Sequence, residues 1–115
     1  MMGPMENEAP TELSETDVYA LLADGRRRLV LRALNDPSDP LTVRTAIDFI
    51  GEYEYEDPST DHLLSIHISL HHHHLPKLER FSVLAYDRDD GTISPGANFA
   101  LLVGYLLEID EKEWN

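Results

Sequence analysis

The 115-residue chain carries 22 Asp and Glu against nine Lys and Arg, a formal net charge of -13, and no cysteine. Its length fits one domain around a single hydrophobic core, and the missing thiols exclude disulfides, thiolate metal sites and cysteine nucleophiles. No apolar run approaches the ~18 residues of a membrane span, and the N-terminus lacks the basic start and apolar core of a signal peptide, so a soluble, cytoplasmic protein without membrane contact is expected.

Such an acidic balance ordinarily argues against a nucleic-acid partner, because phosphate binding needs a positive footprint. In a cytosol near molar salt the screening length falls to about 3 Å, and distant carboxylates no longer repel phosphates. The acidic surface, with Lys77 and Lys112 as its lysines, fits a halophilic source. An ordinary acidic protein-binding domain is the other reading.

Residues 1–14, with two prolines and three glutamates, read as a disordered acidic tail. Residues 15–36 read as helical: Val18, Leu21 and Leu22 share one face, and Leu29, Leu31, Ala33 and Leu34 resume the spacing after Gly25. Thr16 or Asp17 is the expected cap and Gly25 the expected end of a first short helix. Arg26, Arg27 and Arg28 follow, either a basic patch paired with nearby carboxylates or a phosphate contact. The stretch 35–40, with two prolines, is a loop.

A helix is expected over 41–53, with Thr42 as cap, Val43, Ala46, Ile47 and Ile50 buried, and Arg44 pointing elsewhere. Gly51 and the acidic run 52–58 form a connection longer than a helix-turn-helix needs. Residues 61–80 make a long helix in which Pro76 permits a kink. Residues 81–86 alternate as a strand, Asp90-Gly91 marks a hairpin turn, and 92–94 return as its second strand. A final helix over 97–109 sets Phe99, Leu102, Val103, Leu106 and Leu107 on a broad face. That face either closes the core or pairs with a second copy.

Three readings attach to the run His71, His72, His73 and His74. Native-looking helix on both sides argues against an expression tag. His67, His71 and His74, at i, i+4 and i+7, are candidate ligands for zinc or nickel, yet a closed site needs further ligands from other elements that nothing fixes. The preferred reading packs some of these imidazoles under the helix and turns others toward a DNA groove, where they donate or accept hydrogen bonds. No nucleophile motif, Gly-rich phosphate loop or HExxH sequence is present, so neither catalysis nor a cofactor is expected.

Residues 18–34, through Ala20-Leu21, Arg26-Arg27 and Leu29-Val30, resemble the first helices of arsenic-repressor-type (ArsR-like) winged-helix regulators, with their A-L-x-x-x-x-R-R-x-I-L-x-x-L pattern. Ser69 to Tyr86, above all His74-Leu75-Pro76-Lys77-Leu78-Glu79, resembles the S-x-H-L-x-x-L-x-x-x-G-L-V recognition helix and strand of that family. It is more similar still to a haloarchaeal branch of winged-helix domains sharing an H-x-H-L-P-K-L core. The resemblance covers about residues 16–94. Ser82 stands where the pattern has glycine, so the left-handed turn expected there is strained or different. The helix-to-helix connection is longer than the pattern, and metal sensing loses its usual thiolate ligands.

The resemblance implies an α+β, mostly helical fold: a winged helix-turn-helix over 15–96 with a two-stranded wing, then a C-terminal dimerisation helix over 97–115. It places Ser69, His71, His72 and His73 near the exposed start of the recognition helix and Leu75 and Leu78 on the core. By the resemblance Lys77 and Arg80 reach the DNA backbone and Arg88 sits at the wing tip beside Asp87, Asp89 and Asp90; apart from it, Arg44 and the Arg26 to Arg28 triplet are further candidate DNA contacts. The expected function is transcriptional regulation by a homodimer on double-stranded DNA, with the 62–80 helix in the major groove. An acidic protein-interaction or dimerisation module that does not bind DNA is the alternative.

Overall fold

The structure is a computed structural model and describes residues 12–36 and 40–114. Helix α1 (Glu15–Leu22) starts one residue earlier than its candidate caps. Ser14 Oγ accepts from the Asp17 N–H at 3.0 Å while the Asp17 carboxylate accepts from the Ser14 N–H at 3.1 Å. Ser14 is therefore the cap and Asp17 the carboxylate that completes the capping box. Gly25 opens the second helix, α2 (Gly25–Leu34), instead of ending the first; Asp24 caps it by accepting from the N–H groups of Arg26 and Arg27. Residues 1–11 of the expected tail lie outside the described residues, and Leu13 already packs on the core.

Strand β1 (Leu41–Thr42) stands where the sequence reads as helix. Thr42 then caps α3 (Val43–Glu54) through the Thr45 N–H at 3.1 Å, as its position suggests. The helix runs through Gly51, where a Cβ would sit 2.7 Å from Leu63. That glycine admits the next helix at close approach, and the acidic connection shrinks to residues 55–59.

The longest helical stretch has three parts: α4 (Thr60–Ser69), a π-helical turn (Leu70–His74) and α5 (Leu75–Arg80). Pro76 brings no N–H and its ring crowds the carbonyl four residues back. The chain meets this just ahead of the proline with a wider turn, closed by the Leu75 N–H bonding to the Leu70 carbonyl, and the helix continues without a break. It ends in a Schellman motif: the Val83 N–H bonds to the Leu78 carbonyl and the Ser82 N–H to the Glu79 carbonyl, with Ser82 at φ 60°. The left-handed turn is thus kept, with serine in the glycine position. Gly96 lies against it so closely that a Cβ would meet the Ser82 carbonyl oxygen at 2.4 Å.

Residues 81–83 belong to this turn, so the first hairpin strand, β2, is Leu84–Asp87, and β3 is Thr92–Pro95. The antiparallel sheet has the order β1-β3-β2, with Leu41 opposite Ile93 and Tyr86 opposite Ile93 on the other side. Gly91, at φ 75°, closes the turn, and its carbonyl accepts from the Val43 N–H, which fastens the hairpin to the start of α3. Helix α6 (Phe99–Trp114) packs on α1 and α2 through Phe99, Leu102, Val103 and Leu106. Leu107, expected on that face, is about half exposed instead.

Among the described residues the fold is mostly helical α+β, five helical stretches (α4 and α5 counted as one through the π turn) around one core with a small three-stranded sheet, compatible with a winged-helix arrangement. Leu21, Leu31, Ile50, Ile66, Leu70 and Leu78 are fully buried, each contributing roughly 1.5–3 kcal/mol of transfer free energy. No described helix is long and apolar enough to cross a membrane.

Candidate nucleic-acid interface

Two faces of the 60–80 helix have opposite chemistry. Ile66, Leu70, His74, Leu75 and Leu78 point into the core, whereas Asp61, Leu64, Ser65, His67, Ile68, His72, His73 and Arg80 are exposed. Ser69, expected to contact DNA, has a buried hydroxyl oxygen and is not placed to do so. His72 and His73 stand in solvent as the contact reading requires, on the middle of the helix and not near its start.

All six histidines fall between residues 62 and 74, and packing gives them different roles. His62 closes the N-terminal capping box, its Nδ1 accepting from the Ser59 N–H at 3.1 Å, and its ring stacks on Tyr55 with centroids 3.7 Å apart. His67 and His71 lie nearly parallel, 5.6 Å apart, and His71 Nδ1 meets the Tyr86 hydroxyl at 3.4 Å. His74 turns the other way. It is buried, with Nδ1 3.1 Å from Arg27 Nη1 and Nε2 3.6 Å from Asp24. Burial first, then the neighbouring Arg27 charge, hold it down at about pKa 4 despite Asp24, so it is neutral near pH 7. The proposed ligand stripe His67, His71 and His74 is therefore divided: the first two adjoin, and the third faces the core. Among the described residues no three His, Asp or Glu converge as a metal site.

The arginine triplet differs from its expectation most clearly. Arg27 is buried, with Nε donating to the Leu21 carbonyl at 2.8 Å and Nη2 to the Ala20 carbonyl at 3.1 Å. It closes the open C-terminal end of α1, where helix carbonyls lack intrahelical donors, and is not available to a phosphate. Burial lowers its pKa, which nearby Asp24 partly offsets. Arg28 donates to the Leu22 carbonyl at 2.6 Å. Arg26 makes a two-pronged ion pair with Glu54, at 2.8 and 2.9 Å, which raises its pKa. The signal for these roles was local: three arginines set just beyond a helix end.

Arg88 stands in the hairpin turn as expected, but its guanidinium is engaged. It pairs with Glu79 at 3.2 Å and lies 4.7 Å over the Tyr86 ring. The wing carboxylates are partly engaged in their own turn. Asp90 accepts from the hydroxyl and N–H of Thr92, bonds that lower its pKa, and Asp87 accepts from the Asp89 N–H.

Among the described cations, Arg44, Lys77 and Arg80 make neither an ion pair nor a side-chain hydrogen bond. Arg44 lines a groove between α3 and α4 with Asp48, Thr60 and His67, over an apolar floor of Ile47 and Leu63, and Tyr86 of the hairpin closes it. Tyr86, for which the sequence suggested no role, links this groove to the histidine face.

A family model described as a domain of unknown function (DUF7344) matches residues 19–94. Neither a curated protein nor a solved structure matches the chain.

Proposed function

The chain belongs to the DUF7344 family, a domain of unknown function, and we propose that it is a DNA-binding transcriptional regulator of winged-helix type. The carrying observation is the placement of Arg44, Lys77 and Arg80. On a chain of net charge -13 these cations remain unengaged among the described residues, and all three lie on α3 and α5. The α3-connection-helix unit, followed by a hairpin paired with β1, gives the element order such a domain uses. In this reading the outer face of the 60–80 helix enters the major groove, while Arg44 and Arg80 meet phosphates at its flanks. Two copies pair through the outer side of α6, where Leu101, Leu107 and the neighbouring Tyr19 are exposed.

Genomic footprinting of the tagged protein in its own host tests this. Discrete enriched loci that disappear in an Arg44→Ala, Lys77→Ala, Arg80→Ala triple variant are the expected result. Without enriched loci the reading fails.

A second reading has its own observation. Leu64 and Ile68, 53% and 49% exposed, share a surface with Asp61, which suits a protein partner better than a phosphate backbone. Co-purification of one protein, lost on Leu64→Asp, in the absence of enriched loci would favour it.

A further inference from the structure

We propose that the groove between α3 and α4 binds a small amphipathic monocarboxylate, its carboxylate held by Arg44 and its apolar body laid on Ile47 and Leu63. The groove has a volume of about 510 Å³, within the roughly 300–1,000 Å³ usual for small-molecule sites. Its floor follows from the sequence. Ile47 stands one turn after Val43 on α3, and Gly51 lets Leu63 of α4 come to a close approach that a Cβ would block. Val43 is buried, whereas Ile47, Leu63 and Tyr86 are only half-buried. An apolar ligand there removes from water a surface that the fold leaves wet.

The charges at the rim select the ligand. Arg44 is exposed at the groove and has neither an ion pair nor a side-chain hydrogen bond among the described residues. A guanidinium with its donors open takes a carboxylate through two parallel bonds, and an apolar wall on one side strengthens them. Asp48, one turn along α3 on the same groove, adds a fixed negative charge. It repels a second anionic group and so favours a ligand that carries one. The Tyr86 hydroxyl is engaged with His71, which leaves ring surface as the contribution of that residue. Two other depressions each lack half of this combination. Arg32 in one is paired with Asp110, and the one lined by Leu64 and Ile68 has no cation.

A carboxylate on Arg44 occupies the guanidinium that the DNA-binding reading assigns to a phosphate, so a bound acid weakens DNA binding by direct competition. That consequence, and it alone, rests on the DNA-binding reading. It needs no movement of the backbone.

The test titrates phenylpropionate, and phenylpropanol as its uncharged counterpart, into the isotopically labelled full chain at constant ionic strength, read by amide NMR. Saturable shifts should centre on residues 43–48, 63–67 and 86, with the acid bound at least about tenfold more tightly than the alcohol. Arg44→Gln should abolish that preference while alcohol binding and the rest of the spectrum stay as in wild type. Absence of saturable shifts, shifts centred elsewhere, equal affinity for acid and alcohol, or a preference that survives in Arg44→Gln overturns the site. For the competition, anisotropy of a labelled duplex carrying a footprinted site should show weaker binding in saturating phenylpropionate, and no such change in Arg44→Gln. DNA affinity untouched while the groove is filled overturns the competition alone. A chain that takes the acid in the groove and binds no duplex overturns the DNA-binding reading and leaves the groove assignment standing.

Discussion

Arg27 and Arg44 are both arginines on helices of one acidic domain, and their surroundings give them opposite uses. Arg27 is 6% exposed and donates to two backbone carbonyls and meets His74, whereas Arg44 is exposed and meets no partner among the described residues. Clustering of cations along the chain is thus a poor guide to available charge. The Arg26 to Arg28 triplet is the densest basic stretch, yet each member is engaged inside the molecule. The isolated Arg44, Lys77 and Arg80 supply the free charge among the described residues. The histidines divide in the same way across one peptide bond, His73 in solvent and His74 in the core.

The largest expected effect comes from breaking the inward side. Arg27→Met keeps much of the side-chain volume but leaves the Leu21 carbonyl without the Arg27 donor and the Ala20 carbonyl with the Ala23 N–H alone, a loss of roughly 3–5 kcal/mol. Urea unfolding should show a lower midpoint with an unchanged slope. A midpoint equal to wild type would mean that Arg27 is not the buried cap of α1.

His74 gives the next largest effect, read through pH. Its folded pKa of about 4 lies below the ordinary 6.5, so the unfolded chain binds the proton more readily. Its contribution is complete above about pH 6.5 and is lost as pH falls toward 4, by up to roughly 3 kcal/mol. His74→Gln should remove that part of the acid dependence. An unchanged profile would place the acid sensitivity elsewhere.

A smaller effect is expected at the ion pair. Arg26→Ala breaks the Glu54 contact, whose partners are 21% and 25% exposed, and should cost about 1 kcal/mol or less by thermal unfolding. A loss like that of Arg27 would erase the difference drawn between neighbours in the triplet.

The helical periods, the cap at Thr42 and the Asp-Gly hairpin were legible because their causes are local, whereas the left-handed turn at Ser82 was signalled only by the glycine of the resembled pattern. Strand β1 was not: two residues cannot show alternation, and Leu41 and Thr42 become a strand only by pairing with Ile93 and Thr92. Pro76 announced an irregular helix, but placing the wide turn at 70–74, before the proline, needed the core positions of Leu70 and Leu75. The candidate site was legible in its residue types and less so in their directions. Arg27 and His74 are 47 residues apart in sequence, and no spacing rule joins them. Leu107 belongs to an apolar stripe broader than the surface α1 and α2 offer, so the sequence could not say which edge is left in solvent.

The smallest effect on stability and the sharpest on function belong to the outward side. Arg44→Ala removes an exposed side chain with no partner among the described residues, so stability should stay within about 0.5 kcal/mol of wild type. If Arg44 contacts a phosphate, the variant binds all duplexes more weakly and to a similar degree. Its salt dependence should fall by about one in the slope of log affinity against log salt. Arg26→Ala is the matched control, since it also removes one arginine and alters net charge equally, but from an internal ion pair. An affinity loss confined to Arg44→Ala supports a direct contact. Equal losses in both variants would reduce the effect to overall charge, and the interface would then have to be sought away from the start of α3.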